Sequence, residues 1–216
     1  MSNTPSIYSA DLFYNNIPPK AVLVKYPKLK KLFNQVGALN YKIPLWDSID
    51  DAVLYAVIGQ MLSFSAAKSI ISRLTRKFNS ARNVIGWASR SSFRQGPIYG
   101  VSYRKRKALA EWNKYALNKN NFRTIWKKMP LEDYRNEICS IWGFGRWASD
   151  MLAIFYVGRD DIWPESDTGI KKACKIVFGT TEQEKIKNQI QGYETLVSLY
   201  LWELINRKIQ SYSLND

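Results

Sequence analysis

Gly143-Phe144-Gly145-Arg146-Trp147 reads as a turn whose glycines let backbone amides approach an anion with no side chain in the way. Twenty residues beyond Trp147 stands Asp167, inside Pro164-Glu165-Ser166-Asp167-Thr168-Gly169-Ile170. Such a turn, followed by a helix and later by one carboxylate at the start of another helix, suits chemistry on DNA. Amides and a positive helix end suit a phosphate, so that a bound strand could present a sugar to the carboxylate. Each half also has a plainer reading: a Gly-x-Gly between helices is commonly an ordinary turn, and an Asp in that position is commonly an N-cap. The chain has no histidine, so Ser-His and Cys-His nucleophile pairs are excluded and carboxylates, Lys, Tyr and water remain as actors. Two cysteines, Cys139 and Cys174, are too few for a disulfide scaffold, an iron–sulfur cluster or a thiolate zinc site.

Composition agrees with a polyanionic partner. Lys and Arg number 32 against 18 Asp and Glu, a formal net charge of +14 with a pI near 9.7, which favours phosphate neutralisation and counterion release. A membrane surface would satisfy the charge as well, but the longest apolar runs, Ala52 to Gly59 and Met151 to Gly158, fall far short of the roughly 20 residues a spanning helix needs. The first residues show no charged-then-apolar signal pattern, so a cytoplasmic, nucleoid location and no membrane are expected.

The elements that hold these residues read as all-α, since apolar positions recur at helical spacing and no long strict alternation is present. Asp47 with Asp50 is expected to open a helix through Met61, with Val53, Leu54, Val57 and Ile58 inside. Ser63 or Ser65 caps the next. A further helix from Ser102 to about Leu117 buries Ala108, Leu109, Trp112 and Ala116, while Arg104, Lys105, Arg106 and Lys107 crowd its first turn. Cations there oppose the helix dipole, so they either meet a phosphate or form a solvated face. Helix Leu131–Ile141, the glycine turn and helix Arg146–Val157 outline a helix-hairpin-helix. Ser166 or Asp167 caps a helix through Phe178, and the last helices span about Glu182–Gln189 and Tyr193–Ile209.

The turn at 143–147, Asp167 in Pro-x-x-Asp-x-Gly, Ile58-Gly59-Gln60-Met61-Leu62-Ser63, Gly100-Val101-Ser102-Tyr103-Arg104-Lys105, and Tyr193 followed by Tyr200-Leu201-Trp202 together resemble the helix-hairpin-helix superfamily of DNA glycosylases. Within it the chain is most similar to the 3-methyladenine DNA glycosylase II branch, over about residues 46 to 205. The resemblance implies a two-lobed all-α fold with a DNA-binding cleft between the lobes. One lobe would be residues 1–45 plus 159–216, and the other 46–158, containing the hairpin unit 131–157. It implies Asp167 as the catalytic carboxylate and Trp147, Tyr193 and Met151 as walls of the base pocket. Met61 with Gln60 would form the wedge inserted into the duplex, where the plainer reading of a lone Met is core filler. Gly143, Phe144, Gly145, Arg146, Ser102, Arg104 and Lys105 would meet DNA phosphates. A monovalent cation, Na+ or K+, is implied at backbone carbonyls of residues 141–146, and no other cofactor.

Departures from the family narrow the expectation. Strand-cleaving branches carry a lysine where this chain has Trp147, so the resemblance implies a monofunctional enzyme. The four cluster cysteines of the nuclease-like branch are missing, and Trp142 replaces the hairpin's usual proline. The expected function is release of cationic alkylated purines, such as 3-methyladenine or 7-methylguanine, from double-stranded DNA by a monomer. Basic residues around 20–31 and 102–128 would bind and bend the duplex. The alternatives are the same fold acting on uracil, mispaired or oxidised bases, and a non-catalytic DNA-binding module.

Overall fold

The computed structural model of the chain describes residues 27–37, 39, 43–91 and 96–207. The basic stretch before residue 27, with Lys20 and Lys25, and the end of the last expected helix past residue 207 lie outside the described residues. Among those described, the chain is all-α as expected: eleven α-helices, one short π-helical stretch and a single isolated bridge between Ile98 and Val101. No described helix is long and apolar enough to cross a membrane. The chain divides into two compact units, one running from Pro44 to Gly158 and the other drawn from the segments on either side of it.

The flanking unit opens with α1, Pro27–Val36, whose Leu29, Leu32, Phe33 and Val36 form one apolar stripe. The continuous unit begins with α2, Ile49–Gly59, apolar nearly all round and buried at Ala52, Val53, Leu54, Ala56, Val57 and Ile58, as a central helix must be. Its N-cap is Ser48 rather than Asp47, and it stops at Gly59, two residues before Met61. Around it pack α3 (Phe64–Phe78), α4 (Ala81–Arg90), α5 (Tyr103–Ala116) and α8 (Arg146–Leu152). Ser63, Ser80 and Ser102 start α3, α4 and α5 by accepting from the amides of Ala66, Asn83 and Lys105. Each such cap stabilises its helix by about 1 kcal/mol.

Helix α6 (Phe122–Lys128) and α7 (Leu131–Cys139) complete the unit. Trp112 and Trp126 are fully buried there, with ring centroids 6.3 Å apart. The second hairpin helix is regular only to Leu152; residues Ala153–Val157 widen into a π turn, closed by Gly158 at φ +74°. Its last carbonyls are taken from outside the helix, Phe155 by the amides of Leu45 and Trp46 and Tyr156 by Arg123 Nε.

In the flanking unit α9 (Thr168–Phe178) packs against α1, against α10 (Gln183–Gln189) and against α11 (Glu194–Asn206). Helix α11 is buried along most of its length and also meets α1, where the Phe33 and Tyr200 rings sit edge to face at 4.3 Å. Lys28 Nζ reaches the Phe178 carbonyl at 3.2 Å and Arg207 Nη1 the Val36 carbonyl at 2.6 Å, so the first and last described segments tie each other down.

Candidate functional site

In the continuous unit, helices α7 and α8 are fixed by a buried ion pair. Arg135 donates from Nε and Nη2 to Asp150 Oδ1 at 3.1 and 2.9 Å, and Tyr134 donates to the Ser149 carbonyl at 2.8 Å. Removing either member of a pair this buried would leave an uncompensated charge, at a cost of about 3–5 kcal/mol. The turn between the helices is therefore held from below. Gly143 has φ +87°, and a Cβ there would lie 2.5 Å from the Cβ of Ala108, so glycine is required both by conformation and by space. Gly145 is the N-cap of α8, and nothing lies within 4 Å of where its Cβ would be. The backbone there is open to a ligand.

Phe144 behaves differently from its neighbours. Its side chain is buried near Trp112, and its amide donates to the Ile141 carbonyl at 3.0 Å. It builds the turn. Arg146 is ion-paired to Glu132 at 3.2 Å. Hydrogen bonding from Arg135, with Arg146 beside it, holds the Glu132 carboxyl below the ordinary carboxylate range. Trp142 is 41% exposed, with the Lys107 ammonium 4.2 Å over its ring, a cation–π contact. Among the hairpin carbonyls, Ile141, Gly143 and Gly145 accept from Phe144 N, Gln60 Nε2 and Ser149 N. Each keeps a second lone pair, which is what Na+ or K+ at residues 141–146 would use.

Beyond α2, the backbone of Met61 is left-handed at φ +58° and the residue is 98% exposed; Met61 is no core filler. Three contacts brace this tip. Lys105 Nζ donates to the carbonyls of Ile58 and Gln60 at 2.7 and 3.0 Å, and burial lowers the pKa of this ammonium from its ordinary value. Gln60 Nε2 donates to the hairpin carbonyl of Gly143 at 2.9 Å. The Trp147 indole packs so closely on Gly59 that a Cβ there would lie 3.2 Å from its Cη2.

The basic run therefore splits four ways. Arg104 is exposed, Lys105 caps the end of α2, Arg106 is buried and donates to the carbonyls of Gly96 and Val101, and Lys107 lies over Trp142. Neither sequence reading holds for the run as a whole. Ser102 Oγ accepts from the α5 amide of Lys105 and keeps its own O–H to donate.

In the flanking unit, Asp167 caps α9. Its Oδ1 accepts from the Ile170 amide at 2.8 Å and from the Trp202 indole Nε1 at 3.0 Å. The sequence reading quoted Trp202 without a role, because no local spacing relates positions on two different helices. Gly169 sits 3.0 Å, by its would-be Cβ, from the same oxygen and 3.5 Å from Trp202 Cδ1, so a side chain there would crowd the pair. Tyr193 is the half-buried N-cap residue of α11 in this unit, whereas Trp147 and the buried Met151 belong to the other. Trp163, which precedes the Asp167 loop, is core, its Nε1 donating to Gln183 Oε1 at 3.0 Å.

No family model matches the chain. An alkylbase DNA glycosidase-like protein of Schizosaccharomyces pombe, mag2, is 35% identical over 92 residues, covering 39% of this chain and 43% of that protein. The match thus spans less than half the length of that relative. Among solved structures, a 3-methyladenine DNA glycosylase from Archaeoglobus fulgidus superposes with TM-score 0.73 at 18% identity, over 94% of this chain and 74% of that one. The S. pombe 3-methyladenine DNA glycosylase Mag1, in complex with abasic DNA, gives 0.70 at 21% identity, over 90% and 100%. A DNA-3-methyladenine glycosidase from Bacillus halodurans gives 0.68 at 20% identity, over 98% and 96%.

Proposed function

We propose that this chain, whose fold is that of solved 3-methyladenine DNA glycosylases, is a member of the 3-methyladenine branch of the helix-hairpin-helix DNA glycosylases and a monofunctional enzyme that hydrolyses cationic alkylated purines from duplex DNA. The observation that carries this reading is Asp167, an ionisable carboxylate held at the head of α9 by a backbone amide and an indole N–H. Fixed in that way, it stabilises an oxocarbenium-like sugar without reorganising during the reaction. A purine alkylated at N3 or N7 already carries positive charge, so it leaves without an obligatory general acid, which suits a chain with no histidine. Its cation attracts electron-rich aromatic faces by roughly 0.5–2 kcal/mol per contact, the part proposed for Trp147 and Tyr193, with Met151 proposed as a further contact to the base. The indole of Trp147 offers no amine for a Schiff base, so the product is an abasic site with an intact strand.

Before chemistry the base has to leave the stack, at a cost of a few kcal/mol that protein contacts offset. Met61, exposed and projected from a braced turn, is the proposed wedge. The Gly143–Gly145 backbone and Arg104 are the proposed phosphate contacts.

Incubating the protein with duplexes that carry 7-methylguanine, 3-methyladenine, ethenoadenine, uracil or 8-oxoguanine, then heating in alkali, tests the assignment. Cleavage only at the methylated purines, and only after alkali, is the expected pattern. Cleavage at uracil or 8-oxoguanine alone would move the substrate class, strand breaks without alkali would contradict the monofunctional reading, and binding without cleavage at any lesion would leave a DNA-binding module.

The indole bond to Asp167 makes a separate prediction. Trp202→Phe keeps the ring and removes the donor; a hydrogen bond to a charged group is worth about 1.5–3 kcal/mol, so single-turnover base release should fall about tenfold or more. The melting temperature should fall as well, by several degrees, because the same bond ties α9 to α11. A variant as fast as the parent would show that Trp202 only packs.

A further inference from the structure

We propose that Lys105 is a positioning residue for the Met61 tip, and that it governs how readily the duplex is unstacked rather than contributing a phosphate contact of its own. The inference rests on the reading of Met61 as the wedge. Its ground is the direction of the Lys105 side chain, which runs back across the end of α2 to the carbonyls of Ile58 and Gln60 at 2.7 and 3.0 Å. Those two carbonyls flank Gly59, and that of Gln60 immediately precedes Met61. The last carbonyls of a helix lack intrahelical partners, and a cation there also complements the helix dipole; one ammonium supplies both. The residue it stabilises is in a conformation that a side chain rarely adopts, φ +58° for a non-glycine, which persists only where the surroundings determine it.

Gln60 completes the brace. Its backbone carbonyl is held by Lys105 while its side-chain amide is held by the Gly143 carbonyl in the hairpin, and Trp147 closes on Gly59 from the same helix pair. The tip and the hairpin are thereby tied to each other, with the Lys105 ammonium bonding to the carbonyls on both sides of Gly59.

The test uses full-length protein and a duplex with 2-aminopurine beside a tetrahydrofuran abasic analogue, in which fluorescence rises as the stack is opened and no base release is needed. Met61→Ala should lower the rise at least fivefold. Lys105→Met should lower it by a similar factor, Lys105→Arg, which keeps donors for two carbonyls, should restore it, and the Lys105→Met/Met61→Ala double variant should be no worse than Met61→Ala alone. In parallel, the slope of log affinity against log salt on undamaged duplex should not change in Lys105→Met. A slope reduced by about 0.9, the loss of one phosphate contact, would overturn the proposal, as would full fluorescence in Lys105→Met where Met61→Ala has lost it. If Met61→Ala itself keeps the full rise, the wedge reading fails instead, and the proposal with it. Should Lys105→Met not fold, Lys105→Gln, with one donor left, is read by the same criteria.

Discussion

In an Asp167→Asn variant, base release falls by at least about 10²–10³-fold while duplex affinity stays within about threefold of the parent. The substitution isolates charge. Asn keeps a carbonyl oxygen where Oδ1 accepts from the Ile170 amide and the Trp202 indole, so the cap of α9 and the orientation of the side chain survive. What disappears is the negative charge that would face the sugar. Removing it from a chain of net charge +14 makes DNA binding, if anything, slightly stronger. Asp167→Ala is the useful contrast, because it also removes the cap and should cost about 0.5–2 kcal/mol of stability. Single-turnover excision of 7-methylguanine, with affinity measured in parallel by fluorescence anisotropy, separates the effects. Undiminished excision by Asp167→Asn would remove this residue from the chemistry.

Gly143→Ala should destabilise the chain by about 2–5 kcal/mol, from a left-handed conformation forced on a side chain and from overpacking. The neighbour is rigid: the new Cβ would meet the Ala108 Cβ at 2.5 Å and its Cα at 3.3 Å, both on helix α5 with no flexible end to move aside. Against a total stability of about 5–15 kcal/mol that loss is large, and a urea melt would show it as a lower midpoint. Gly145→Ala is predicted to do the opposite. With φ at −105° and open space around it, an added methyl group leaves the melt unchanged but stands where a phosphate would approach the amide. Duplex affinity should drop several-fold. Equal stability and equal affinity in Gly145→Ala would argue that the hairpin is only a turn.

Much of this was legible in the residue order because capping and periodicity are local. Ser63 and Asp167 were readable as caps since a side-chain oxygen three residues before a free amide is a feature of one short segment. Direction was not legible. Four consecutive cations on a helix are turned by about 100° each, so Arg104, Lys105, Arg106 and Lys107 had to point four ways. Only the packing of α5 against α2 and α4 decides which of them find carbonyls. The π turn at Ala153–Val157 likewise depends on Leu45, Trp46 and Arg123, segments remote in sequence that take its carbonyls. Helices α1, α4 and α6 were not anticipated. They are short, and their polar faces leave only four buried positions each in α1 and α4 and two in α6 to mark them.

The interrupted unit has a consequence for the order in which the molecule is made. A ribosome adds about 5–20 residues per second and domains generally fold as units, so the unninterrupted stretch from Pro44 to Gly158 is complete before residues after Arg159 are translated. Helix α1 emerges ahead of that stretch yet waits for its partners α9 and α11, which follow it. On the proposed function, a nascent chain acquires its grip on the phosphate backbone before Trp202 can set the carboxylate at position 167. On that reading the half proposed to hold a strand is finished earlier than the half proposed to break a glycosidic bond, and an early-terminated polypeptide would be a ligand of DNA without being a hazard to it.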